Sequence, residues 1–518
     1  MIGKPRSWQV RSACGEVEDM FSPGRTTRPD KKRPALKPVT LISLISILPL
    51  ALSCASATAQ TVSEQEAEAD LVALYEGLEA AQNDLFVHTP RSAFDQRYDE
   101  LIRQIDGPVE LGEFHEIAQR FAALARIAHT RIVSPHPDWN DHLETGRFFP
   151  LSLRVHEGEV IVTEAPADSP VQPGDRILSI DGQVNPVWLA RLTRNIAADT
   201  PALAYSQLEG SELYYFWLEY GEPDSFDIAY ERQGERARAR IAAASLDELR
   251  NSVGIENAFS LAGREARMVD QTIAYLRPGA FYNVDATTPE EAYDPEATRA
   301  FIAYIDAAYR DFIEAGAEAL ILDLRDNPGG DNSYSDPVVA WFADEPFRFA
   351  SDFQIKVSES TIASNQARVD ALTEGETSAS SRLAELYAAA EPGETVSYEI
   401  PYAQPREGQR FDGEVYVLVN RFSFSNAVST GALIQDYGFG TIMGEPTTDM
   451  ATTYGAMEHF TLPHSEFLVG YPKALIIRPN GERETHPLTP DVFLPAPAIR
   501  SEQDVMLNAA IAYIQERK

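Results

Sequence analysis

The sequence predicts a mixed α/β protein, and three observations carry that reading. Ala319–Leu324 and Val415–Val419 are unbroken apolar runs of the length of buried strands. Helical stretches fall near Pro289–Ala315 and Ser425–Gln435, so strand and helix alternate along this half of the chain. Asp326-Asn327-Pro328-Gly329-Gly330 then ends the first run in a turn.

The 518 residues are enough for roughly two to four domains, and 44% hydrophobic residues can fill ordinary cores. Residues 1–59 read as an export leader. Lys31, Lys32, Arg33 and Lys37 form a positive region, Val39–Leu52 is an apolar stretch too short to span a bilayer, and Ala57-Thr58-Ala59 fits a small-residue cleavage site. The long segment ahead of the apolar stretch raises Met20 as an alternative start. Leu52-Ser53-Cys54 resembles a lipoprotein box, so the alternative to a periplasmic or secreted protein is one anchored by lipid at Cys54. Cys14 and Cys54 are the only cysteines, which leaves a chain starting at Gln60 without disulfides or thiol chemistry. The net charge is −35, and residues 1–59 hold nine Lys/Arg against four Asp/Glu, so the remainder is more acidic still. Such a surface disfavours nucleic acid and anionic membranes as partners. Nothing in the sequence sets an oligomeric state.

Residues 60–145 are expected to be mainly helical. Leu71, Leu74, Tyr75, Leu78 and Leu85 recur near the helical period. A second helix is expected from about Leu111 to Ala128, with His129 at its end, where a histidine is also at home against the helix dipole. Residues 146–242 form a separate module, and 243–518 form the core, with an insertion at 346–410. Within that insertion Ala363–Ala390 has helical spacing, and either a lid or a solvated spacer fits it.

The stretch from Val419 to Ala427 carries the chemistry. Ser425 stands between a strand and a helix, where a hydroxyl can point into a cleft and the N–H of Asn426 can hold an oxyanion. A serine opening a helix can equally be an N-cap. Gly329 and Gly330 let the backbone approach a ligand closely. His459 and His464 have no clustered Asp or Cys, so no metal site is expected. No phosphate-binding or dinucleotide-binding glycine motif is present.

From about 120 to 500 the chain resembles the tail-specific (C-terminal-processing) and tricorn-type serine peptidases. Asp323–Gly330 matches that family's Asp-Leu-Arg-x-Asn-x-Gly-Gly motif, and Val419–Ser425 matches its Val-Asn-Arg-Phe-Ser-Ala-Ser motif. Gln435–Gly438 and Gly444–Thr447 follow in the family's order. The resemblance implies a crotonase-like ββα spiral core, a Ser425 nucleophile, an oxyanion hole from Gly329 or Gly330 with Asn426, no cofactor, and peptide or protein substrates. Where the tail-specific branch has its lysine base, this chain reads Thr448-Asp449-Met450-Ala451, and Met450 has no proton to exchange. The tricorn-like branch implies His129 as base and Glu484 as its acid, with Thr485 and Pro487 in place of glycines near Glu484. Lys473, in an apolar stretch, is the competing base. A histidine base predicts kcat/KM rising through a pKa of about 6 to 7. Val171–Gly182 resembles the Pro-Gly-Asp-x-Ile-x-x-Ile-Asp-Gly signature of PDZ modules, which bind peptides by strand addition; a barrel with its groove closed is the other reading. The expectation is an exported serine endopeptidase working through an acyl-enzyme. The alternative is a catalytically inactive peptide- or ligand-binding protein on the same scaffold, motivated by Met450 and the lost glycines.

Overall fold

The computed structural model describes residues 60–156, 158–252, 263–286, 290–370, 372, 378–499 and 503–517; the leader and Cys54 lie outside them. Helix α1 (Glu64–Ala81) opens with a capping box in which Ser63 and Glu66 satisfy each other's backbone N–H. With α2 (Arg91–Gln104) and α3 (Leu111–Ala122) it buries Leu71, Leu74, Phe94, Phe114 and Phe121 against Val469 and Tyr471. Helix α3 stops short of the expected Ala128. A 3₁₀ turn over Ala123–Ala125 follows, and Arg126 adopts φ 52°, which no helix can continue. His129 therefore sits in a turn closed by the Thr130 N–H on the Ile127 carbonyl at 2.9 Å, and not on a helix end. Strand β1 (Arg131–Ile132) comes directly after it.

The next module holds β2 (Ser152–His156), β3 (Glu159–Glu164) and β4 (Arg176–Ile180), then α4 (Asn185–Thr193), α5 (Pro201–Glu209) and α6 (Glu212–Tyr220), then β5 (Ser225–Arg232) and β6 (Glu235–Ala242). The strands form one antiparallel sheet in the order β2-β3-β4-β5-β6, so β2 is an edge. The expected tight turn after β4 is present, with Asp181 at φ 48° and Gly182 at φ 77°. The aromatic-rich stretch after residue 200 is α5 and α6, and Phe216 stacks on Phe149 with centroids 4.0 Å apart.

The rest of the chain contributes β7 (Glu265–Met268), β8 (Ile273–Arg277), α7 (Pro295–Glu314), β9 (Ala319–Asp323) and α8 (Asn332–Val339). Then come β10 (Asp352–Lys356), α9 (Glu359–Asp370), α10 (Ala379–Ala388) and β11 (Thr395–Ser397). The last elements are β12 (Glu414–Val419), α11 (Asn426–Tyr437), β13 (Thr441–Gly444), β14 (Thr453–Thr461), β15 (Leu468–Ile477), β16 (Val492–Phe493) and α12 (Val505–Gln515).

Two sheets result. The first runs β7-β8-β9-β12-β13-β16 and is parallel except for β7. Phe301, Ile305 and Tyr309 of α7 cover one face with α8 and α11, while Met506, Leu507 and Ile514 of α12 cover the other. Burial on both faces explains why β9 and β12 read as continuous apolar runs and not as alternating ones. The second sheet is antiparallel, in the order β11-β10-β15-β14, and β1 pairs with β15 through Ile132–Val469 and Arg131–Gly470. That pairing ties the N-terminal turn of His129 to the core.

Lys473 lies on β15 with its Nζ donating to Glu458 Oε1 at 2.7 Å, and Arg368 of α9 donates to the same oxygen at 2.5 Å. Burial raises the Glu458 carboxyl, yet the two cations outweigh it and hold it down to about 2. Lys473 is thus engaged by Glu458, not by Ser425. The same buried trio fastens the inserted helix α9 to the second sheet.

Candidate active site

Two loops meet at the C-terminal ends of β9 and β12. Asp326 and Asn420 clasp them: Asn420 Nδ2 donates to Asp326 Oδ1 at 2.8 Å, and the Asp326 N–H donates to Asn420 Oδ1 at 3.1 Å. The Phe424 N–H donates to the Asn327 carbonyl at 2.9 Å. Ser423 is buried; its Oγ donates to the Leu324 carbonyl at 2.8 Å and accepts the Asn420 N–H at 3.1 Å. It is a fastener between the loops.

Ser425 is half-buried and takes φ 53°, ψ −124°, a conformation strained for any residue with a Cβ. Its hydroxyl makes no capping bond to α11, so the N-cap reading fails. Instead Ser425 Oγ lies 3.3 Å from His129 Nε2. The imidazole is buried and stacks on Phe424 with centroids 5.3 Å apart. Burial pulls His129 down to about 4, although Asp199 nearby favours its charged form. The ordinary histidine range expected from the sequence therefore does not hold here. A neutral imidazole at this distance can accept the hydroxyl proton.

The glycine loop abuts this turn. A Cβ on Gly329 would stand 2.6 Å from the Phe424 carbonyl oxygen and 2.8 Å from both Asn426 N and Ser425 Cβ, and Gly329 has φ +87°. Only glycine allows that approach. The Gly329 N–H is taken by Asn327 Oδ1 at 2.9 Å, which leaves Gly330 as the donor on this loop. Asn426 opens α11, where backbone N–H groups have no helical partner.

Two carboxylates that sequence reasoning missed complete the surroundings. Asp449 is fully buried, and its Oδ2 accepts the Ser425 N–H at 2.5 Å. Burial pushes its carboxyl up to about 7, helped by the charge of Asp199 and opposed by the N–H groups of Ser425 and Met450. The carboxylate thus pins the nitrogen of the strained residue. Asp199, between α4 and α5, accepts the Ala128 N–H at 3.1 Å, one residue before His129, and lies 3.5 Å from His88. Glu484 is not brought to His129. Its side chain is 83% exposed and its carboxylate is bonded to His486 at 2.9 Å. The cause is local: His486 and Pro487 are tied to the backbone at Ala451 and Met450, so the chain at Glu484 faces solvent.

A half-exposed serine hydroxyl on a strand-to-helix turn, facing a buried imidazole beside a glycine loop, defines a serine-type peptidase. Residues 291–494 match the model of peptidase family S41. Among solved structures, mature CPAF complexed with lactacystin is 15% identical with a TM-score of 0.56, the match covering 88% of this chain and 97% of that one. Mature CPAF is 16% identical with a TM-score of 0.56, over 87% of this chain and 96% of that one. At such identities the likeness speaks for the fold alone. No curated protein matches the chain.

Proposed function

We propose that this chain is an exported serine endopeptidase that hydrolyses peptides or proteins through an acyl-enzyme. Its core is a crotonase-like spiral, residues 146–242 are a PDZ-like module, and residues 1–59 are the leader. The observation that carries this reading is the 3.3 Å approach of Ser425 Oγ to His129 Nε2 at the turn into α11. Ser425 attacks the scissile carbonyl while His129 takes the hydroxyl proton and passes it to the leaving amine. The N–H groups of Gly330 and Asn426 receive the oxyanion. Asp199 takes the acidic role that the family pattern gives to Glu484: its charge lies beside His129 and stabilises the imidazolium formed in the transition state. Asp449 holds the Ser425 backbone and leaves the hydroxyl free. Among the described residues no helix is long and apolar enough to cross a membrane.

The test is labelling by a fluorophosphonate probe. Wild type labels at Ser425 and cleaves an internally quenched peptide, whereas Ser425→Ala and His129→Ala do neither, with kcat down on the order of 10⁴-fold or more. The second reading, a binding protein on an inactive scaffold, rests on Glu484 standing in solvent away from His129, which leaves the acid of the family pattern out of the site. A folded wild-type protein that never labels would establish it.

A further inference from the structure

Strand β2 is the edge on which a peptide would add to the module's sheet. In such an addition the new strand offers a carbonyl to one edge N–H and an N–H to the neighbouring edge carbonyl. Both positions at Val155 are already filled from within the chain. The Val155 N–H donates to Glu209 Oε1 of α5 at 2.9 Å, and Arg421 Nη1 donates to the Val155 carbonyl at 3.0 Å. Two residues along, on the same edge, the Leu153 N–H donates to Glu212 Oε1 at 3.4 Å. Glu209 and Arg421 are themselves paired at 2.9 Å, with side chains 6% and 11% exposed.

Arg421 belongs to the loop that ends in Ser425. It is gripped twice more: its carbonyl accepts from Thr448 Oγ1 at 2.6 Å, and Thr448 Oγ1 is in turn 2.8 Å from Ser206 Oγ of α5. Its N–H donates to Glu445 at 3.2 Å. One face of α5 thus holds the side chain and the backbone of the residue that starts the nucleophile turn.

Resting on the peptidase reading above, we propose that the edge of β2 is a strand-addition site filled by the chain itself, with Glu209 in place of a ligand carbonyl and Arg421 in place of a ligand N–H, and that this pair is a strut positioning the turn of Ser425. The module then selects no substrate by its tail. Glu209 and Arg421 are positioning residues for the serine, and the substrates are chains cut without reference to a free C-terminal carboxylate. Burial pushes Glu209 up to about 7 despite Arg421 and Arg154 beside it, the mark of a carboxyl placed on this edge against a desolvation cost.

The full-length chain tests this with paired quenched peptides that differ only in a free or amidated C-terminus. The two are cut with kcat/KM within about twofold of each other. A preference of tenfold or more for the free acid, residing in KM, overturns the proposal. Glu209→Ala and Arg421→Met lower kcat at least tenfold with KM little changed, and Glu209→Gln, which keeps an oxygen for the Val155 N–H, recovers at least half of the kcat lost. Either variant gaining activity, or acquiring the free-acid preference, overturns the strut and makes the pair an inhibitory plug. Hydrogen exchange separates this from failure of the peptidase reading. The amides of Leu153 and Val155 are protected in wild type whether or not Ser425 labels, and Glu209→Ala loses protection at Val155. Fast exchange at Val155 in wild type refutes the filled edge without reference to activity.

Discussion

Gly329→Ala is the sharpest test of the site. The new methyl carbon would stand 2.6 Å from the Phe424 carbonyl oxygen and 2.8 Å from Asn426 N, both backbone atoms that cannot swing aside. The backbone at φ +87° adds a cost of about 1–2 kcal/mol for any residue with a Cβ. Overpacking against fixed atoms adds about 1–3 kcal/mol, for about 2–5 kcal/mol in all. The effect on turnover has a separate origin. The methyl covers the Asn426 N–H and pushes the loop off the serine, and losing one oxyanion donor costs about 10²–10³ in kcat. Gly481→Ala is the control, with φ +85° and nothing within 4 Å of its Cβ, so it carries the backbone cost alone. Steady-state hydrolysis of a quenched peptide, fluorophosphonate labelling rates and chemical denaturation are measured on both variants. Gly329→Ala loses at least about 10² in kcat with KM little changed, whereas Gly481→Ala loses about 1 kcal/mol of stability and no kcat. A folded Gly329→Ala protein with wild-type kcat, or an equal kcat loss in both, refutes the oxyanion assignment.

Lys473→Met keeps peptide hydrolysis but loses about 1–3 kcal/mol in denaturant melts, because Glu458 loses one buried charged donor while Arg368 still balances its charge; loss of kcat without loss of stability would return the lysine to the chemistry. Burial lowers His129 to about 4, so kcat/KM has its acid-side midpoint below about pH 5, and Asp199→Asn moves that midpoint lower still by removing the charge that holds the imidazole up; a wild-type midpoint at 6–7 contradicts this. Asp449 is raised from 3.8 to about 7, so the folded state holds more protons than the unfolded state between those values, and stability falls as pH rises through that window. Asp449→Asn lacks the dependence, and its stability relative to wild type improves between pH 4 and 8 by a few kcal/mol (about 1.4 kcal/mol per pKa unit) in melts across pH; a difference that stays flat across that range counts against a buried titrating carboxyl.

The parts of the site that were legible in the sequence are those with a local signature. Ser425 could be found because a buried strand, a turn and a helix follow one another within a few residues. Gly329 and Gly330 could be found because paired glycines after a buried strand mark a backbone that something approaches closely. The six-stranded sheet was visible because two-faced burial leaves unbroken apolar runs at β9 and β12. Asp199 and Asp449 carry no such mark. Each is a single acid in a loop, and its importance comes from burial beside His129 or Ser425, which only the tertiary fold creates. Glu484 shows the reverse: its place in a sequence pattern pointed to His129, but Thr485 and Pro487 change the backbone, and the side chain turns to solvent. Helix α3 ends earlier than its sequence suggests: nothing in Ala-Leu-Ala-Arg forbids a helix, and the break lies in the left-handed turn at Arg126.

The pairing of β1 with β15 also governs when the chain can act. His129 and Ser425 are 296 residues apart in sequence, and the bond from the Leu468 N–H to Ser134 Oγ that accompanies this pairing spans 334. A chain emerging from its N-terminus presents the imidazole first and the hydroxyl long after it. The two cannot meet until the strand at Leu468–Ile477 has been made and has captured Arg131 and Ile132. Contacts of such separation form late and slowly. The nascent polypeptide thus carries no working nucleophile while its own segments are still unfolded and open to cutting. On the peptidase reading proposed above, chain order by itself delays assembly of the Ser425–His129 pair until the last strands of the second sheet are made.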